Sequence, residues 1–199
     1  MQTQSYSLKA KLLLLCGFLS AIAIAVGVTS DVTLIKVGTN FGSVVDKDIP
    51  KMRSSYEMML DYRRIRISLR TLGIKGLSPA QATETVKDTL AAIEAYETEA
   101  KEYESYGFID GQKEHYDKVN AAWQDFRAVG VKALGLWKAG TPEDLEKLSQ
   151  VFLVECPAKA AVFNAAMENL SKFHETTTQN SVTAAHDVAS TGVQLIIIV

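Results

Sequence analysis

Residues 112–140 read QKEHYDKVNAAWQDFRAVGVKALGLWKAG, and one apolar row runs through them. Tyr116, Val119, Trp123, Phe126, Gly130, Ala133 and Trp137 follow one another at alternating spacings of three and four. On a helix of 3.6 residues per turn these positions stack into a single stripe, a coiled-coil-like seam that neighbouring helices must cover. Glycine bounds the stretch on both sides, as GFIDG at 107–111 before it and as Gly140 after it. The same spacing recurs upstream through Val86, Leu90, Ile93, Tyr96, Ala100 and Tyr103. Downstream it recurs through Leu145, Leu148, Phe152, Val162, Ala166, Leu170 and Phe173.

The breaks between these rows carry cap chemistry. Gly73 and Gly76 end a first helix, and Ser78 followed by Pro79 supplies an N-cap and a first-turn proline for the second. Thr141, Pro142, Glu143 and Asp144 start the fourth in the same way, with acidic residues where the helix dipole favours them. Loops this short make consecutive helices antiparallel. The expected fold is therefore all-α, an antiparallel four-helix bundle in the order long, short, short, long. The first and fourth helices, near fifty residues each, would extend roughly 70 Å, and the middle pair only about 45 Å, at a rise of ~1.5 Å per residue. The part formed by two helices cannot bury its stripes alone, which predicts a homodimer with a four-helix stalk. Pro50 and Pro157 fall inside the long helices and should kink them or mark local breaks.

Composition agrees with an all-α chain. Of 199 residues, 47% are hydrophobic and 8% aromatic, and four prolines and twelve glycines are too few for a turn-rich β fold. A formal charge of −2 gives no general phosphate-binding surface, so no nucleic-acid partner is expected.

The ends read as membrane segments. Leu12 to Val28 is apolar or small throughout (LLLLCGFLSAIAIAVGV), and Lys9 and Lys11 precede it with no acidic residue before them. With its flanks the run reaches spanning length, and the lysines place the N-terminus in the cytoplasm. A cleaved signal peptide or a lipoprotein signal at Cys16 are the rival readings. Leu15 stands where the latter wants a small residue. Val193 to Val199, VQLIIIV, reads as the opening of a second, truncated transmembrane helix, or else as a short apolar tail. The division expected is a cytoplasmic N-terminus at 1–11, a transmembrane helix at 12–30, a sensor bundle outside the membrane at 31–192, and the start of a second span at 193–199.

No catalytic constellation is present. His115, His174 and His186 lie far apart in the chain, and neither a Glu-x-x-His nor a Cys-x-x-Cys-His sequence occurs. Phosphate loops and nucleophile motifs are absent too, so no enzyme activity, metal or other cofactor is expected. Cys156 reads as a buried thiol or an intersubunit bridge, and His174 as a packing contact.

The chain's layout resembles the sensor domain of methyl-accepting chemotaxis proteins. The most specific piece is residues 48–74, DIPKMRSSYEMMLDYRRIRISLRTLGI, similar to that family's first sensor helix with a proline near its start and arginines near its distal end. The resemblance implies a transmembrane chemoreceptor in the bacterial inner membrane with its sensor domain periplasmic or extracellular. It further implies a small-molecule ligand or a periplasmic binding protein, and a cytoplasmic kinase and coupling protein reached through a C-terminal part beyond Val199. Membrane histidine kinases and cyclase-type transducers share such sensors, and a structural membrane-anchored bundle without ligand is the alternative of another class.

Within that segment, at 100° per residue, Met52, Tyr56, Met59, Leu60, Ile67 and Ile74 share a face with Arg63 and Arg70, and Arg66 lies beside them. Ile65, Leu69 and Leu72 lie opposite. A helix apolar on two sides can touch both its own bundle and a second subunit. Guanidinium groups on such a face need carboxylates, phosphates or bound anions. Asp61, Glu57 or a partner's acids could satisfy them. Otherwise Arg63, Arg66 and Arg70 form an anion-binding, ligand-binding patch at the distal dimer interface, which resembles the amino-acid-sensing chemoreceptors. Around Pro157 the chain departs from those receptors: Val154, Glu155, Cys156 and Ala158 offer few polar donors for aspartate or serine.

Overall fold

The structure, a computed structural model, describes residues 7–74 and 76–198. Its elements are α1 (Leu8–Ser43), a π-helical turn (Val44–Asp48), α2 (Ile49–Thr71), α3 (Pro79–Ser105), α4 (Gln112–Ala139), α5 (Pro142–Gln150), a second π-helical turn (Val151–Glu155) and α6 (Cys156–Ile198). The chain is an all-α four-helix bundle, and the described residues include no strand. It divides into two compact units, residues 46–177 and the paired segments 1–45 and 178–199.

The larger unit holds the core. Along α4 the core row is the one the spacing predicts: Tyr116, Val119, Trp123, Phe126, Gly130 and Ala133 are buried and Trp137 packs against them. Aromatic rings join the helices. Tyr96 of α3 stacks on Trp123 with ring centroids 3.7 Å apart, and Tyr62 of α2 lies 4.9 Å from Phe126 and 4.1 Å from Phe163. The Tyr62 hydroxyl donates to the Ala160 carbonyl at 3.2 Å. Burying rings of this size supplies much of the unit's hydrophobic stabilisation.

Cap residues act as the sequence suggests. Ser78 and Gln81 form a reciprocal capping box on α3, and the Thr141 hydroxyl accepts from the Asp144 amide at the start of α5. Gly140 ends α4 with φ 66°, a left-handed conformation that suits glycine.

Pro50 and Pro157 do mark local breaks, and each follows a π-helical turn by two residues. Proline lacks an amide proton and crowds the preceding turn, and a widened turn accommodates both defects. The second π turn also corrects the expected core row of the last helix. Val162 is 55% exposed, whereas the buried positions are Leu148, Val151, Cys156, Ala160, Phe163, Met167, Leu170 and His174. The step of five from Val151 to Cys156 is the extra residue of the π turn, which puts Phe163 rather than Val162 inside, while Leu170 is buried as expected. On α3, Leu90 is likewise exposed (54%) and the core row passes through Thr89 and Ala92 before joining the expected positions at Tyr96 and Tyr103.

In the smaller unit, α1 contains the one described stretch long and apolar enough to cross a membrane, with mean hydropathy 2.5. Its leucines and phenylalanine are outward-facing: Leu13 is 74% and Phe18 65% exposed. The hydroxyls of Thr29, Thr33 and Thr39 donate to carbonyls one turn back, so each polar group is satisfied within the helix. Against α1 lies the C-terminal part of α6. Gly192 approaches Thr33 so closely that a Cβ there would stand 2.7 Å from Thr33 Cγ2. Residues 1–6, within the expected cytoplasmic N-terminus, lie outside the described residues, as do Val199 and the side chains of 195–198 in the expected second span.

Candidate functional site

The last four turns of α2 carry the arginines. The buried face of this helix is Met58, Asp61, Tyr62, Ile65 and Leu69, continued by Leu72 beyond its end. Arg63 and Arg70 therefore stand on the exposed face with Tyr56, Ile67 and Ile74, which are 60%, 67% and 59% exposed. Arg66 lies at the boundary, half-buried, with its guanidinium 5.6 Å from the centre of the Tyr62 ring. That placement is a cation–π contact.

Asp61, one of the partners the arginines could have taken, pairs elsewhere. Its carboxylate is buried and accepts from Arg64 Nη1 at 2.9 Å, and burial pushes it above the usual carboxylate range against the pull of Arg64. Among the described residues, no ion pair includes Arg63, Arg66 or Arg70. Arg66 and Arg70 converge on a small recess with Leu69, Phe126, Phe152 and Cys156, whereas Arg63 does not line it. Burial raises the Cys156 thiol and Glu155 adds to the rise, while Arg70 and Arg66 pull it down. Cys156 is a free, buried thiol. Arg70 alone of the three also lines a larger cavity at the end of α2.

A second cluster, which the sequence reading did not assemble, lies near the other end of α2. Lys51 is 2% exposed, and its ammonium donates to Gln112 Oε1 at 2.5 Å. The ammonium also sits 5.8 Å from the Tyr103 ring and 5.6 Å from that of Phe108. Tyr103 Oη and His174 Nε2 are 2.8 Å apart beside it. Burial lowers Lys51, with Asp48 pulling the other way. It also pushes His174 down to about 4, helped by the Lys51 charge. The signal was present in the spacing. Lys51 is three residues before Ser54 and seven before Met58, and Gln112 is four before Tyr116, so both continue core rows. A polar residue in a core row is a buried polar residue, and Lys51 precedes the periodic stretch that was read.

The chain matches the family described as the four helix bundle sensory module for signal transduction over residues 6–189. No curated protein and no solved structure matches it. This is a family of signalling sensors and not of enzymes. Bundle architecture, caps and family match agree, and the chain belongs to the four-helix-bundle sensory modules for signal transduction.

Proposed function

We propose that the chain is the sensor part of a transmembrane chemoreceptor of the bacterial inner membrane. It takes a small anion, or a ligand-loaded binding protein, outside that membrane and passes a helix displacement inward to control chemotaxis signalling. The observation that carries this reading is the set of three arginines on one helix, none of them in an ion pair among the described residues. An unpaired guanidinium at a protein surface is a ready partner for carboxylate or phosphate.

The exposed apolar row of Met52, Tyr56, Ile67 and Ile74 beside those arginines supports a homodimer formed through this face of α2. The apolar run of α1 supports a membrane span, and the close approach of Gly192 to Thr33 supports a tight helix pair leading to it. The ligand acts by preferring one of two packings of the long helices, so the signal cannot exceed its differential affinity for them. A cytoplasmic kinase and its coupling protein would read the displacement through a following signalling portion.

The test is a chimera in which residues 1–199 replace the sensor part of a chemoreceptor of known output, with kinase activity followed against carboxylates, amino acids and phosphates. A response to one anion that disappears with Arg63→Ala, Arg66→Ala or Arg70→Ala supports the reading. Kinase output indifferent to every anion and to binding-protein extracts would contradict it.

A further inference from the structure

At the end of the bundle where α2 stops and α3 begins, the helices do not close on one another. α2 ends at Thr71 and α4 at Ala139, and the short α5 gives way to a π turn at Val151. Between them lies a cavity of about 1020 Å³. Leu72, Ala82 and Leu148, all buried, line it together with Trp137, Phe152 and Leu153. Gly73 allows the connecting loop to lie against Phe152, since a Cβ there would stand 2.9 Å from Phe152 Cδ2.

Polar groups on this wall are few. The Thr83 hydroxyl already donates to the Pro79 carbonyl at 2.8 Å, and Ser149 adds a second hydroxyl. Arg70 is the one charged side chain among the described lining residues, and it has no ion-pair partner there. An apolar cavity with a few convergent polar groups is the usual form of a small-molecule site. One guanidinium matches one carboxylate, in a bidentate pair. Among the described lining residues an α-ammonium group would find no carboxylate to replace its water, which costs binding energy. The described lining residues hold no second cation for a second carboxylate, and the apolar walls ask for an apolar body.

We propose that this cavity binds an apolar monocarboxylate lacking an amino group, within a single protomer, its carboxylate on Arg70 and its body against Trp137, Leu148 and Phe152. Arylcarboxylates and branched aliphatic acids have that chemistry. The proposal rests on the anion-sensing reading and narrows it to one ligand class and one of the three arginines.

The test is calorimetric titration of the full chain in lipid nanodiscs with benzoate, and with benzamide, phenylalanine and succinate as the neutral, amino and dicarboxylate comparisons. Benzoate is expected to saturate one site per protomer while the other three give no measurable binding. Arg70→Gln should weaken benzoate by about tenfold to a hundredfold, the loss of a charge-assisted pair. Two cavity-filling changes on different helices, Ser149→Phe and Thr83→Phe, should each weaken it by at least about tenfold. Their use together keeps one misfolded variant from deciding the matter. Benzoate binding untouched by both fillings would overturn the proposal. Succinate or an amino acid bound in place of benzoate, lost in Arg63→Ala but kept in both filled variants, would overturn it and leave anion sensing standing. If none of the probes binds, the cavity proposal falls, while anion sensing stands or falls with the chimera.

Discussion

Tyr103 Oη and His174 Nε2 stand 2.8 Å apart, tying α3 to α6 in a part of the core that also encloses the Lys51 ammonium. Burial and the neighbouring charge keep the imidazole neutral, with its pKa pushed down to about 4. Once unfolded, the same imidazole takes a proton near pH 6.5. Between those values protons bind the unfolded chain in preference, so the stability contributed by the neutral histidine is complete above pH 6.5 and is lost as pH falls toward 4. The melting temperature of the full chain in detergent should fall across that window, and His174→Gln should flatten this part of the profile. An unchanged slope in the variant would show that other groups carry it.

Lys51 and Gln112 should respond unequally to mutation. Gln112→Ala removes the Nζ hydrogen-bond partner and leaves a charge 2% exposed, at a cost of about 2–3 kcal/mol in chemical denaturation. Lys51→Met removes the charge itself and leaves Gln112 Oε1 the Ile109 amide at 3.2 Å, so it should be near neutral, within about 1 kcal/mol.

The core register of α3 has a direct check. Tyr96 is 1% exposed and stacked on Trp123, whereas Leu90 is 54% exposed. Tyr96→Ala should cost about 3–5 kcal/mol in urea denaturation of the full chain, and Leu90→Ala under about 1 kcal/mol.

What the sequence made legible, and what it did not, follows from how strictly a row keeps its period. α4 has no proline, no π turn and seven apolar residues in phase, and all seven were readable as its core row, whereas the buried Gln112 that continues the row was not. The stripe after Pro157 was readable only in part: Leu170 is buried and Ala166 packs on the core, but the extra residue between Val151 and Cys156 changes the phase and leaves Val162 outside and Phe163 inside. α2 was readable as a helix apolar on two sides. Only packing decided that Ile65, Leu69 and Leu72 form the inner face and Ile67 and Ile74 the outer one. Arg63, Arg66 and Arg70 were visible as a cluster, but their division was not. Arg66 lies on Tyr62 and Arg70 reaches the cavity at the end of α2, because that cavity is built from segments as distant as Ala82 and Leu148.

The pairing of α1 with α6 makes a cross-linking prediction. An ideal Cβ on Gly192 lies 3.4 Å from Thr33 Cβ, close to the span of a disulfide. Thr33→Cys with Gly192→Cys, in a Cys16→Ser background, should form an intrachain disulfide on mild oxidation, seen as a mobility shift that a reductant reverses. Moving one partner to Val32→Cys turns its side chain away and should abolish the shift.

The claim that the chain senses an anion through the α2 arginines is tested most directly by thermal unfolding of the full chain in detergent against organic acids, amino acids and phosphates. Saturation by one anion should raise the melting temperature by about 5–10 °C, as expected at a hundredfold excess over its dissociation constant. Arg63→Ala, Arg66→Ala and Arg70→Ala together should abolish that rise and leave the anion-free melting temperature within about 2 °C. A rise that survives the triple substitution, or a wild-type chain that no anion stabilises, would contradict the account.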